Sequence, residues 1–129
     1  VTTAYDGQHL IADLHDAAHL ADVAHIEACL IAAAAAAGAT LLEVRLHSFG
    51  PGQGVTGVAM LAESHISIHT WPEYGSACVD LFMCGRSHDL DAALDTIVQR
   101  LAAQVTRRTL LTRSIGSGPS GDQVADPAR

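Results

Sequence analysis

From His65 to Cys84, apolar residues fall on every second position on both sides of one break, and few folds accommodate that pattern. Ile66 and Ile68 alternate with His65, Ser67 and His69. Beyond Trp71-Pro72 and Gly75, Ala77, Val79, Leu81 and Met83 alternate with Cys78, Asp80, Phe82 and Cys84. A period of two marks a strand with one face in a core. Proline carries no ladder donor, so Pro72 ends the first strand and a turn leads into the second. The outward face of this pair carries proton-handling groups, and the pattern predicts that Cys84 returns beside the His69 face.

The rest of the chain supplies more strands and two helices. Gln8 to Leu14 reads as a strand with Leu10, Ala12 and Leu14 on one face. Ile26, Leu30, Ala33 and Ala37 repeat with helical period over Ala21 to Ala37, and Gly38 is placed as a left-handed cap. Cys29 in that helix reads as a small buried hydrophobe. Thr40 to Phe49 is a strand with Leu42, Val44 and Leu46 inward. Gly50-Pro51-Gly52-Gln53-Gly54 must then be a turn, because three glycines and a proline cannot hold a ladder, and it is no phosphate loop because no Lys or Ser/Thr follows at P-loop spacing. Val55 to Ala62 is the next strand. Leu90, Leu94, Ile97, Val98 and Leu101 form a second amphipathic helix opened by Asp89, and Thr106 to Arg113 is the last strand. His15 and His19 have the spacing of one helical face, read as a polar turn entering the helix. Together these elements predict an α+β two-layer sandwich, a mainly antiparallel sheet with both helices on one face. Residues 1–113 form one domain, and 114–129, rich in Gly, Ser and Pro, read as a disordered tail.

Composition removes several functions. A formal charge of −7 argues against nucleic-acid and anionic-membrane partners, which require basic patches. Val1 to Asp6 shows no signal-peptide pattern, and the longest apolar run, Ala28 to Ala37, is too short to span a bilayer. Cys29, Cys78 and Cys84 cannot all pair, which favours a reducing cytoplasm. The seven basic side chains are all arginines, so the chain has no lysine with which to hold pyridoxal phosphate.

Glu63-Ser64-His65-Ile66-Ser67-Ile68-His69-Thr70-Trp71-Pro72-Glu73, followed by Cys84-Gly85, resembles the self-processing segment of the short prokaryotic S-adenosylmethionine decarboxylases, pyruvoyl-dependent enzymes of polyamine synthesis. The likeness extends from about Gly7 to Arg113. The family's usual tyrosine-glycine-cysteine turn is replaced here by His15-Asp16-Ala17, so no role transfers to those positions. The resemblance implies a zymogen. The Ser64 hydroxyl attacks the Glu63 carbonyl, the peptide shifts to an ester, and a base eliminates Glu63. The dehydroalanine left behind hydrolyses to a pyruvoyl group with loss of ammonia.

By the same resemblance His69 is the base, Thr56 carries an assisting hydroxyl, and Cys84 returns a proton to the substrate α-carbon after carbon dioxide leaves. A Schiff base between the substrate amine and the pyruvoyl carbonyl provides the electron sink. Protonation of the pyruvoyl carbon instead would transaminate the cofactor and end activity. Phe49, Trp71 and Glu73 match the family pattern for S-adenosylmethionine, with rings for adenine and sulfonium and a carboxylate for ribose. Phe49 reads equally well as a core aromatic. A homodimer with sites near the subunit interface is also implied.

Two alternatives stand beside this reading. The same mechanism serves arginine or ornithine if Asp80 and Glu73 pair around a distal cation. A non-catalytic zinc protein could draw on His65, His69, Cys78 and Cys84, although i and i+4 on a strand lie about 13 Å apart. No metal is therefore expected.

Overall fold

The computed structural model describes residues 6–115. Six strands and two helices follow one another along the described residues: β1 (Asp6–His15), α1 (Val23–Ala37), β2 (Leu41–Ser48), β3 (Val55–Leu61), β4 (Ser64–Trp71), β5 (Ser76–Cys84), α2 (Leu90–Arg100) and β6 (Gln104–Ser114). A single turn of 3-10 helix, Pro72–Tyr74, joins β4 to β5. The strands form one sheet in the order β2-β3-β4-β5-β1-β6, each pair antiparallel. β4 and β5 are thus central, and their alternating patterns fit an antiparallel sheet with one face in the core.

Both helices lie on one face. The core joins Ile26, Leu30 and Ala33 of α1 and Leu94 and Ile97 of α2 to Leu10, Ala59, Ile66, Ile68, Val79 and Leu81 of the sheet. Asp22 and Asp89 cap the two helices by accepting from the backbone N–H of His25 and Ala92. Gly38 closes α1 at φ +77°, the left-handed conformation that favours glycine. Cys29 is fully buried in α1. No helix among the described residues is long and apolar enough to cross a membrane.

The opposite sheet face carries no helix. His9 and Ile11 of β1, Val58 and Met60 of β3, His65, Ser67 and His69 of β4, Asp80 and Phe82 of β5 and Leu111 of β6 share it by alternation. Ile11, Met60 and Leu111 are exposed there.

Two expectations change. Leu42 is exposed and not inward, because the β2–β3 register slips between Leu41 and Glu43, and a one-residue slip turns a side chain to the other face. The polar turn read at His15 and His19 is present: His15 ends β1 and hydrogen-bonds with Thr106 at 2.6 Å, and His19, at φ +64°, precedes α1 and stacks on His25 within it. Ser114 belongs to β6, and the rest of the expected tail from residue 116 lies outside the described residues.

Candidate active site

Glu63 and Ser64 sit where β3 turns into β4. Leu61 pairs with Ser64, so Ala62 and Glu63 make a two-residue loop. Glu63 takes φ +62°, a conformation that costs a residue with a Cβ about 1–2 kcal/mol. Ser64 follows with its hydroxyl on the helix side of the sheet, sharing parity with Ile66 and Ile68. Its Oγ is buried and has no hydrogen-bond partner among the described residues. A lone nucleophilic oxygen held beside a strained peptide is an arrangement that stability alone does not favour.

Cys84 belongs to this same end of the sheet. His65 pairs with Phe82, and continuing that register sets Ser64 across from Met83, next to Cys84. The thiol is 7% exposed. Burial pushes its pKa up, but the Ser87 hydroxyl, the backbone N–H groups of Arg86 and Ser87, and the Arg86 charge outweigh burial and bring it below the usual thiol value. The Ser87 Oγ donates to the sulfur at 3.6 Å.

The remaining predicted residues gather at the other end of β4. Thr56 pairs with His69, and their Oγ1 and Nδ1 lie 3.3 Å apart. Phe49, Gln53, Trp71 and Glu73 join them around a cavity of about 330 Å³, within the range that small-molecule sites occupy. Phe49 is 62% exposed, which removes its reading as a core aromatic. Gly54 lets the loop close over this cavity: a Cβ there would stand 2.2 Å from the Thr70 carbonyl oxygen.

One chain does not bring the two ends together. His69 is five residues beyond Ser64, about 17 Å along the strand, and projects from the opposite face. Its partner across the ladder is Cys78, six residues from Cys84. Cys84 thus lies on the face that carries His69, as expected from the alternation, but at the far end of the hairpin from it. Alternation fixes the face of a residue but not its distance along the strand.

The zinc alternative loses its geometry for the same reason, since His65, His69, Cys78 and Cys84 are spread over the length of the hairpin. Nor do Asp80 and Glu73 pair. Asp80 already accepts from His9, His65 and Ser67, and Glu73 lies beyond the end of β4. Those three donors hold the Asp80 carboxyl below the usual range against the opposing effect of burial. The His9–Asp80–His65 group went unnoticed in the sequence, because nothing there announces that β1 lies beside β5.

Residues 8–114 match the family model described as S-adenosylmethionine decarboxylase. Curated relatives carry the name S-adenosylmethionine decarboxylase proenzyme. That of Prochlorococcus marinus (strain MIT 9313) is 49% identical over 100 residues, covering 76% of this chain and 79% of the relative. That of Caldanaerobacter subterraneus subsp. tengcongensis is 40% identical over 115 residues, covering 88% and 92%. Among solved structures, the adenosylmethionine decarboxylase from Aquifex aeolicus VF5 superposes with a TM-score of 0.73 at 34% identity, over 92% of this chain and 98% of the other.

Proposed function

The chain belongs to the S-adenosylmethionine decarboxylase family, and we propose that it cuts itself between Glu63 and Ser64 and decarboxylates S-adenosylmethionine with a pyruvoyl group made from Ser64. It is a carboxy-lyase. The observation that carries the self-cutting step is the buried, unpartnered Ser64 Oγ next to Glu63 in its left-handed conformation. No neighbouring group competes for the hydroxyl among the described residues, and moving the peptide to an ester releases the strained turn.

The pyruvoyl carbonyl supplies the electron sink for loss of carbon dioxide. The chain's own residues bind, orient and move protons. Cys84, its thiol made more acidic by Ser87 and Arg86, gives a proton to the substrate carbon. Phe49 and Trp71 offer aromatic faces to the adenine and the sulfonium, and Glu73 accepts from the ribose hydroxyls. Thr56 and His69 handle the Ser64 α-proton during processing.

Because His69 and Ser64 of one chain are about 17 Å apart along β4, the reading requires a homodimer. Two copies pairing their uncovered sheet faces in antiparallel fashion would set the Thr56–His69 end of each against the end of the other where Cys84 and the main chain of Ser64 lie. The exposed Ile11, Met60 and Leu111 give that face an apolar surface to bury. The product is an aminopropyl donor for spermidine synthesis in the cytoplasm, where the free Cys29, Cys78 and Cys84 stay reduced.

Denaturing electrophoresis and mass spectrometry test the reading directly. Wild-type protein should separate into residues 1–63 and 64–129, the second beginning with pyruvoyl and releasing carbon dioxide from S-adenosylmethionine in preference to arginine or ornithine. Ser64→Ala should stay whole. A freshly made, active preparation running as one full-length band would sink the mechanism.

A further inference from the structure

Asp80 stands at the centre of the uncovered sheet face, on β5, between β4 and β1. Its Oδ2 lies 2.6 Å from His9 Nε2 and 3.2 Å from His65 Nε2, and the Ser67 hydroxyl donates to Oδ1. An ionised carboxylate only accepts, so both rings carry their proton on Nε2. The other side of His9 agrees: Arg113, which only donates, sits 3.5 Å from Nδ1. Phe82 packs beside both rings, its centroid 5.6 Å from that of His9 and 6.0 Å from that of His65.

Two of these three donors, His65 and Ser67, follow the Glu63–Ser64 bond by one and three residues. While the chain is whole, the two-residue turn holds Ser64 against Leu61. A cut there converts residue 64 into a free chain end, and free ends open more readily than interior residues. The first side chains able to tie that end down are His65 and Ser67. The backbone ladder fixes their strand, whereas Asp80 fixes the strand's position relative to β5 and β1 together.

We propose that Asp80 is a positioning residue that pins the freshly cut end of β4, through His65 and Ser67, to β5 and through His9 to β1. The inference rests on the self-cutting proposed above. The nitrogens and oxygen of this trio lie within 4.8 Å of one another, as metal ligands do. Two ligands at zinc bond lengths stand about 3.4 Å apart in a tetrahedron, however, and His9 is at hydrogen-bond distance from Asp80 with the Arg113 cation on its other nitrogen. The group is held by protons.

The test substitutes Asp80→Asn, which keeps the size of the side chain but replaces one acceptor oxygen with a donor. Hydrogen exchange over residues 65–70 is measured in the uncut Ser64→Ala background and in the cut enzyme. Exchange should change less than about twofold in the uncut form and accelerate about tenfold or more in the cut form, the scale of one lost charge-assisted bond. In the cut enzyme kcat should fall about tenfold with KM unchanged.

A misplaced end also receives the proton that belongs on the substrate carbon. The substrate nitrogen then stays on residue 64 as alanine, water supplies the oxygen, and the substrate leaves as an aldehyde. Mass spectrometry of the 64–129 chain should show that terminal alanine accumulating faster per turnover in Asp80→Asn. His65→Gln, which retains a donor near the Nε2 position, should stay near wild type, and His65→Leu should repeat the Asp80→Asn result. Equal acceleration of exchange in cut and uncut forms, no change in either, or zinc bound at the trio would overturn the proposal. Wild-type protein that never cuts would overturn the reaction assignment and this inference with it, whereas normal cutting with unchanged exchange overturns this inference alone.

Discussion

Depth of packing and local donors together set the acidity of the three thiols, Cys29, Cys78 and Cys84. Burial in α1 pushes Cys29 up to about 11, with Arg100 offsetting little of it. Cys78, exposed, is also raised, by partial desolvation and by the charge and hydrogen bond of Asp13. Cys84 exposes little surface but is far less deeply packed than Cys29, so burial raises it less, and Ser87, the N–H groups of Arg86 and Ser87, and the Arg86 charge together lower its pKa. A proton donor must hold its proton at rest, so turnover should decline as pH rises through the Cys84 pKa. Ser87→Ala removes a donor to the thiolate and raises that pKa. The alkaline limb of kcat against pH should therefore move upward. A limb that stays in place in Ser87→Ala would remove Cys84 from the donor's role. Cys84→Ala should still cut, and its cut form should decarboxylate poorly; normal turnover by that variant would have the same consequence.

The turn between β3 and β4 is where the element scale matters most. Two-residue hairpin loops favour glycine or asparagine where φ is positive, and this one places Glu63 at +62° instead. If the resulting strain drives the peptide toward its ester, Glu63→Gly should slow conversion of the full-length band about fivefold, the rate equivalent of about 1 kcal/mol. Glu63→Ala keeps the Cβ and should cut at the wild-type rate. Equal rates in the two variants would separate the strain from the reaction. The same element shows what the residues alone can convey. Alternation revealed the faces of β4 and β5, and Trp71-Pro72 and Gly75 revealed their ends, because side-chain direction and ladder donors are local properties. Register is not local. The bulge that turns Leu42 outward, the pairing of His69 with Cys78 and the meeting of His9 with Asp80 all depend on which strand lies beside which, and at what offset. The family likeness indicated Ser64, His69 and Cys84 without indicating that one chain holds His69 away from the other two.

At the scale of the whole molecule, that separation makes a prediction that no single-chain site shares. Ser64 and Cys84 occupy one end of the central strands, Thr56 and His69 the other, and the sheet face that could join them lacks a covering layer among the described residues. A two-fold pairing of such faces is self-complementary, so each dimer would contain two sites, each drawing its nucleophile from one copy and its histidine from the other. His69→Ala alone should cut slowly or not at all, and Ser64→Ala alone should remain whole. Co-expressed, the two variants form mixed dimers in which the Ser64 of the His69→Ala chain faces the His69 of the Ser64→Ala chain. One complete site results per mixed dimer. The His69→Ala chain, distinguished by a mass tag, should then appear as its two fragments, with activity returning to about a quarter of wild type if subunits mix at random. The Ser64→Ala chain should remain full length throughout. Should the tagged His69→Ala chain stay uncut in purified mixed dimers, His69 acts within its own chain, and β4 must bend or open to bring it to Ser64.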